Sequence, residues 1–254
     1  MTSLSSFRIP LRLSILALGL LAGCDDGSQP FTADLQEDPQ VTADPFNSPV
    51  KDPLTIMTRN VYHGGDIGPV LKVGFSDLRA LAQAAAGVWA EIQANDFRER
   101  AVALVDEIEA SAPDIVGLQE LARFVTFDLD MATMRYVVTG VIDFETILQD
   151  ELDSRGLPYS FLAVQSNTEV RVPVAGIEIP GQFVPTRLVQ LDEREGLLAR
   201  NDLDVGVVIQ GNYQAATPLG LDPFGQPIEM IRGWIRVDAE MDGVPHHFIT
   251  THLE

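Results

Sequence analysis

The chain has 254 residues, of which 46% are hydrophobic, and its formal net charge is −20. This apolar content can bury a core in one domain or in two small ones, so it excludes a chain that is disordered throughout. The acidic balance excludes a protein that holds nucleic acid through a basic patch, although metal ions bound between carboxylates can invert the local charge around a phosphate.

The first 24 residues have the pattern of an export signal. Two arginines precede the apolar run 13–21, which is too short to span a bilayer as a helix and is typical of the core of a signal peptide. The run ends on Leu21-Ala22-Gly23-Cys24, which resembles the lipobox of bacterial lipoproteins, where the cysteine receives a diacylglycerol and becomes the new N-terminus. The resemblance implies a cleaved signal peptide over residues 1–23 and a lipid on Cys24. An ordinary signal peptide with an incidental cysteine is the alternative.

A lipid on Cys24 would make the protein an exported lipoprotein of the cell envelope, at the periplasmic or the outer surface. We therefore expect a membrane as its partner through the lipid anchor, and the sequence predicts no protein partner. Cys24 is the only cysteine, so the folded part is expected to contain no disulfide. No second apolar run reaches the length of a transmembrane helix.

Residues 25–53 are acidic and rich in proline. They contain seven acidic residues, five prolines and a single base, Lys51, with little hydrophobic periodicity. Such a segment cannot bury enough apolar surface to form a core. We predict that residues 24–53 form a lipidated tether and that residues 54–254 form the folded domain.

The first half of this domain alternates apolar strands with amphipathic helices. The best-marked helix begins at a capping box, Asp96 with Glu99 three residues later, and ends before Pro113. The predicted elements are a strand over residues 54–62, helices over 70–94 and 97–111, a strand over 114–120 and a helix over 142–155.

After Pro158 the sequence predicts strands and turns. Asp242-Gly243 is a strong hairpin signal between the last two strands. The two halves together predict an α/β fold of the α+β kind. The predicted strands cover residues 159–164, a hairpin over 169–184, and then residues 196–200, 205–209, 231–240 and 246–251.

Three polar residues stand at the ends of apolar strands, where α/β folds place their sites: Asn60, Glu120 and His252. Each has a structural alternative. Asn60 can cap a turn, Glu120 can lie at a helix N-terminus, and His252 can be a hydrogen-bonded histidine at a strand end. The motifs around the three residues favour a functional interpretation.

The segments that contain these residues resemble one known superfamily. Met57-Thr58-Arg59-Asn60-Val61-Tyr62, Pro113-Asp114-Ile115-Val116-Gly117-Leu118-Gln119-Glu120 and Thr250-Thr251-His252-Leu253-Glu254 have the order and rough spacing of the endonuclease/exonuclease/phosphatase superfamily. The helix over residues 97–111 and Arg232-Gly233-Trp234 also resemble its pattern. The resemblance covers residues 54–254 and implies a deoxyribonuclease-I-like fold, a four-layer sandwich of two mainly antiparallel β-sheets flanked by helices.

The resemblance also implies metal-dependent hydrolysis of phosphoesters. It assigns Glu120 to metal ligation, Asn60 to catalysis and substrate binding beside the metal and the phosphate, and His252 to catalysis at the scissile phosphate. The implied cofactor is Mg²⁺ or another divalent cation such as Mn²⁺ or Ca²⁺. The implied substrate is a phosphodiester, either DNA or RNA, or a phospholipid head group as in sphingomyelinases.

The sequence departs from the family pattern after Thr251-His252-Leu253. The pattern continues with Gly-Asp-x-Asn and a C-terminal Asp-His pair, and neither follows Glu254. No other histidine replaces them by motif, since His246 and His247 are predicted to be solvated and His63 to be a loop residue. We therefore expect an incomplete second sheet and a chain that is inactive or poorly folded. The alternative function is that of a non-catalytic surface or binding lipoprotein that keeps the fold without the chemistry.

Overall fold

A computed structural model describes residues 54–221, 227–241 and 244–253. The predicted signal peptide, Cys24 and the predicted tether lie outside the described residues. Within them, no helix is both long and apolar enough to cross a membrane. The described elements are β1 (Ile56–Asn60), α1 (Gly68–Val73), α2 (Leu78–Ala94), α3 (Phe97–Ser111), β2 (Ile115–Gln119), β3 (Arg123–Asp130), β4 (Arg135–Asp143), α4 (Phe144–Ser154), β5 (Tyr159–Ile179), β6 (Gln182–Arg200), β7 (Val205–Leu221), β8 (Pro227–Met241) and β9 (Val244–Thr251).

The larger sheet has six strands and contains one parallel pair. Its order is β1-β2-β6-β3-β4, and β5 pairs with β6 as well. β1 and β2 are parallel, with Asn60 opposite Gln119, while the other pairs are antiparallel. Because parallel strands end at the same edge of a sheet, this pair brings the residues that follow β1 and β2 together.

Helices α2, α3 and α4 share one hydrophobic core with the larger sheet. Helix α3 shows why the sequence folds this way: the Asp96 side chain accepts a hydrogen bond from the Arg98 amide at its start, and Ala101, Val105 and Ile108 are buried on one face. The prediction of a helix over residues 97–111 is therefore confirmed. Burial of each large apolar side chain contributes about 1.5–3 kcal/mol to folding.

The smaller sheet is an antiparallel meander of β7, β8 and β9. Every second residue of β8 from Ile235 to Ala239 is buried, as expected of a strand with one covered face. These side chains form a second core with residues of β2 and β6, so the two sheets pack together. The hairpin predicted around Asp242-Gly243 is confirmed by the pairing of β8 with β9, although those two residues are not described.

Several parts of the predicted secondary structure are wrong. The strands predicted over residues 159–164, 169–184 and 196–200 form one long hairpin of β5 and β6, and the strand predicted over residues 205–209 continues to Leu221 as β7. The single helix predicted over residues 70–94 is two helices, because Gly74 ends α1 at a φ of 73° and Asp77 caps the start of α2. The β3–β4 hairpin was not predicted at all. The described residues otherwise form the expected mixed α/β fold, with two mainly antiparallel sheets.

Candidate functional site

Asn60 and Glu120 meet at the edge where the parallel strands β1 and β2 end. The Asn60 Nδ2 atom donates a hydrogen bond of 2.6 Å to Glu120 Oε1. The Asn60 Oδ1 atom accepts a bond of 2.8 Å from the Tyr62 amide, so Asn60 also stabilises the turn after β1, which was its structural alternative. The strand ends thus bring together two of the three residues that the sequence singles out.

The other oxygen of Glu120 is held by His63. The His63 amide donates to Glu120 Oε2 over 2.9 Å, and the ring Nδ1 atom lies 3.1 Å from the same oxygen. Glu120 has a φ of 58°, a left-handed conformation that costs a non-glycine residue about 1–2 kcal/mol. No helix begins there, because Glu120 is followed by β3, so the alternative of a helix N-terminal acid is wrong.

Arg100 fixes the loop that carries His63. Its Nη1 atom donates to the carbonyl oxygen of Tyr62 over 3.0 Å and also to that of Val61. Its guanidinium lies 5.0 Å from the centre of the Phe97 ring, a distance typical of cation–π contact. The loop is therefore held from α3, and this constrains both contacts of His63 with Glu120.

His252 reaches the same region from the smaller sheet. Gln119, the last residue of β2, donates from Nε2 to Thr250 Oγ1 over 3.0 Å, so it joins the two sheets two residues before His252. This approach requires a glycine in β2, since a Cβ atom on Gly117 would lie 2.7 Å from Thr250 Oγ1. The contact explains how a residue that follows β9 reaches the strand ends of the larger sheet.

Two buried carboxylates of β6 hold His252. The His252 amide donates to Glu195 Oε1 over 2.8 Å, and its ring Nδ1 atom lies 3.5 Å from Glu193 Oε1. Arg232 Nη1 is also 3.5 Å from that Glu193 oxygen. Glu193 and Glu195 are two residues apart on a strand and therefore lie on one face of it, with exposed fractions of only 3% and 0%.

These contacts and the burial of the side chains determine the charge states of the two histidines and the two β6 glutamates. The hydrogen bond to Glu193 raises the pKa of His252, and burial lowers the pKa of His63. Burial acts to raise the pKa of Glu193, but the hydrogen bond from His252 and the charge of Arg232 outweigh it and lower that pKa. Burial raises the pKa of Glu195 to about 7. His252 and Glu193 therefore favour an ion pair, while His63 favours its neutral form.

Replacing Glu195 with glutamine should make the protein more stable at high pH. The pKa of Glu195 in the folded state, about 7, lies above its ordinary value of 4.5, so its contribution to stability is complete below about pH 4.5 and is lost as the pH rises through 7. We expect the Glu195→Gln variant to exceed the wild type by about 1–3 kcal/mol at pH 8 and to match it near pH 4, below the ordinary pKa of 4.5. Urea unfolding at both pH values measures the difference. An equal difference at the two pH values would contradict the assignment.

The polar groups form part of the wall of a cavity of about 510 Å³. The charged residues and histidines in its wall are His63, Asp66, Glu120, Glu193, Arg232 and His252, while the rest of the wall is mainly aliphatic and aromatic. Asn60 does not line this cavity and instead borders a smaller one of about 180 Å³. It is connected to the larger cavity through its hydrogen bond to Glu120.

Several buried polar atoms of the site have no protein partner within the part of the chain that the structure describes. These atoms are His63 Nε2, Glu193 Oε2 and Glu195 Oε2. A buried polar atom without a partner costs about 1–3 kcal/mol, so such atoms are rare except where a ligand, ion or water completes them. Two of the three belong to residues that line the cavity, His63 and Glu193.

Glu120 fits the kind of site that Mg²⁺ uses. Mg²⁺ keeps several waters and needs only one or two protein carboxylates. Among the described residues Glu120 Oε1 accepts one bond, from Asn60, and so retains a lone pair, whereas both His63 contacts fall on Oε2. Across residues 54–221, 227–241 and 244–253, no three His, Cys, Asp or Glu side chains are grouped as a metal cage.

Sequence reasoning missed several residues of this site. His63 was predicted to be a loop residue, and it does lie in a loop, but it is 9% exposed and contacts Glu120. The sequence contains a signal that could have identified Glu193 and Glu195. They shortly precede the apolar residues Leu197 and Leu198, and residues two positions apart in a strand have their side chains on the same face. The other two histidines do not join the site: His247 pairs with Asp238 and its side chain is 60% exposed.

Comparison with known proteins gives no match to a family model and no match to a curated protein.

Proposed function

We propose that residues 54–254 form a metal-dependent phosphoesterase domain of the endonuclease/exonuclease/phosphatase type, with the four-layer arrangement of that superfamily. The observation that carries the proposal is the contact between Asn60 and Glu120 at the ends of two parallel strands, with His252 in the wall of the same cavity as Glu120. The three residues are 60 and 132 positions apart along the chain, and they are the residues that the family motifs single out.

In this proposal Glu120 holds Mg²⁺, or another divalent cation such as Mn²⁺ or Ca²⁺. The bound metal would offset the negative charge on the phosphate oxygens. Asn60 and His63 orient the Glu120 carboxylate through their hydrogen bonds to its two oxygens. Both are therefore positioning residues in the described structure, and direct contact of Asn60 with phosphate stays a prediction.

His252 is the group that would act on the phosphate. Glu193 raises its pKa and so favours the protonated imidazolium, which can donate a hydrogen bond or a proton to a phosphate oxygen. Arg232 lies beside the same carboxylate and adds a second cation to this end of the cavity. His252 and Arg232 thus place two cationic groups beside Glu193 in the wall of the cavity that Glu120 also lines, and these groups can interact with an anionic phosphate.

The lipid on Cys24 and the tether over residues 24–53 belong to the same proposal. They would hold the domain at the cell envelope, outside the cytoplasm, where phosphodiester substrates include phospholipid head groups and external nucleic acid.

Mg²⁺ binding by the chain, and its loss in the Glu120→Ala variant, tests the proposal. Mg²⁺ binding is a direct test because the proposal assigns the metal to Glu120, and assigns the orientation of its carboxylate to Asn60 and His63. A chain that binds no Mg²⁺ would instead agree with a non-catalytic binding lipoprotein.

A further inference from the structure

The cavity extends from the polar site into an apolar space between two helices and the larger sheet. On the sheet side it is lined by Val170 and Val172 of β5 and by Val189 and Leu191 of β6. On the helix side it is lined by Trp89 of α2 and by Phe75, in the segment between α1 and α2. Alternate residues of β5 face it, which gives the space a continuous aliphatic wall.

This space is too large to be an ordinary packing gap. Protein interiors are close-packed, with few voids larger than a water molecule. A volume of about 510 Å³ lies instead within the range of ligand pockets, about 300–1,000 Å³, which are mainly apolar with a few polar groups that orient the ligand. Here the polar groups include two buried residues, His63 and Glu193, whose His63 Nε2 and Glu193 Oε2 atoms have no protein partner among the described residues.

We propose that this cavity binds the hydrocarbon chain of an amphipathic phosphodiester, with the chain between α2 and the larger sheet and the phosphate at Glu120, Arg232 and His252. The inference rests on the proposed function and gives it a substrate class, a lipid-like phosphodiester. His63 is also in the cavity wall, and its buried Nε2 atom has no protein partner among the described residues.

The walls of the cavity disfavour a nucleic acid in the same place. Proteins that hold a nucleic acid strand combine several basic side chains along the backbone with aromatic surfaces on which bases stack. Among the described residues that line the cavity, Arg232 is the only arginine or lysine, and the chain carries a net charge of −20. A single phosphate with an apolar chain matches one arginine and an aliphatic wall.

Alkyl chain length tests this proposal. The probes are n-alkyl methyl phosphates with ethyl, butyl, hexyl and octyl chains, titrated by calorimetry into the full chain with Mg²⁺. Burial of one methylene group tightens binding about fourfold, so we expect affinity to rise by about this factor per methylene until the cavity is filled. Equal affinities for the ethyl and octyl compounds would overturn the hydrocarbon pocket and leave the proposed phosphoesterase intact.

A cavity-filling variant provides the matched comparison. Val172→Phe should reduce the affinity for the octyl compound to that for the ethyl compound, without changing the affinity for the ethyl compound. Val138→Phe is the control, because Val138 is 58% exposed on β4 and does not line the cavity. The chain-length series in the wild type stands by itself if Val172→Phe does not fold.

Octanol separates failure of this inference from failure of the proposed function. We expect octanol to bind at least tenfold more weakly than octyl methyl phosphate, and Glu120→Ala to weaken only the phosphodiester. If octanol binds as tightly as the phosphodiester and Glu120→Ala changes neither affinity, the cavity holds an apolar chain but the phosphate site, and with it the proposed function, is wrong.

Discussion

The Asp114→Ala variant is expected to lose about 3 kcal/mol of the free energy of unfolding. Asp114 and Arg200 form an ion pair of 3.1 Å in which both side chains are only 7% exposed. The second oxygen of Asp114 accepts a hydrogen bond of 2.8 Å from the Thr55 amide, just before β1. Removal of the carboxylate leaves a buried charge and a donor without their partner, which typically costs about 3–5 kcal/mol. We expect the lower value because Arg200 also contacts Asp202.

The Asp114 carboxylate matters for the site because it ties the start of β2 to the start of β1 through the Thr55 amide, and to the end of β6 through Arg200. Strands β1 and β2 lead to Asn60 and Glu120. Urea unfolding of the wild type and the variant measures the loss. Asp150→Ala is the control, since Asp150 is exposed on α4 and its removal should change stability by less than about 0.5 kcal/mol. A loss below about 1 kcal/mol in Asp114→Ala would show that the pair does not hold the strands.

Glu120→Ala is expected to weaken Mg²⁺ binding at least a hundredfold. Glu120 is the carboxylate of the proposed metal site, and its two oxygens are oriented by Asn60 and His63. Loss even of a residue that only orients a ligand typically costs about 10–100-fold in metal affinity, so loss of the ligand itself should cost more. Isothermal titration of Mg²⁺ into the wild type and the variant measures the change.

The control for this variant is Glu109→Ala. Glu109 is near the end of α3, which leads into the start of β2, whereas Glu120 follows the other end of that strand. Among the described residues its carboxylate pairs with Arg155 in a surface ion pair, which contributes about 0–1 kcal/mol. Unchanged Mg²⁺ affinity in Glu120→Ala would refute Glu120 as the ligand, and equal losses in both variants would point to a general effect of the acidic surface.

The sequence predicts the strand-end part of the site well. Asn60 and Glu120 each follow a short apolar run, and the helix between them carries a readable cap at Asp96. The structure adds that β1 and β2 are parallel, and a parallel pair brings its two ends to one edge. Local patterns therefore predict that Asn60 and Glu120 follow strands, while their contact depends on how those strands pair.

The β3–β4 hairpin could not be predicted in the same way, because its turn lacks the usual glycine, proline or asparagine. The Asp130 side chain forms the turn instead, by accepting hydrogen bonds from the Ala132 amide and the Thr133 hydroxyl. Met134 takes a φ of 57° to complete it. A turn held by an aspartate side chain has a weaker sequence signal than Asp242-Gly243.

The buried charges of β6 escaped prediction for a different reason. Arg194 points to the opposite face from its two neighbours and pairs with Asp143 and Glu145, while Glu193 and Glu195 face the site. Residues 192–195 are four charged residues in a row, a pattern that is typical of a solvent-exposed segment. Only the structure shows that both faces of this strand are covered by other elements. Those partners come from β4, α4 and the end of β9, so only the tertiary structure explains why the charges are buried.

The central claim is that Glu120 and His252 belong to one metal-dependent phosphodiester site. The most direct measurement is calorimetric binding of octyl methyl phosphate to the full chain, with Mg²⁺ and after its removal with a chelator. We predict binding that weakens at least tenfold when Mg²⁺ is removed, and that His252→Ala weakens it in the presence of Mg²⁺. Binding that is equal with and without Mg²⁺, and unaffected by His252→Ala, would contradict the claim.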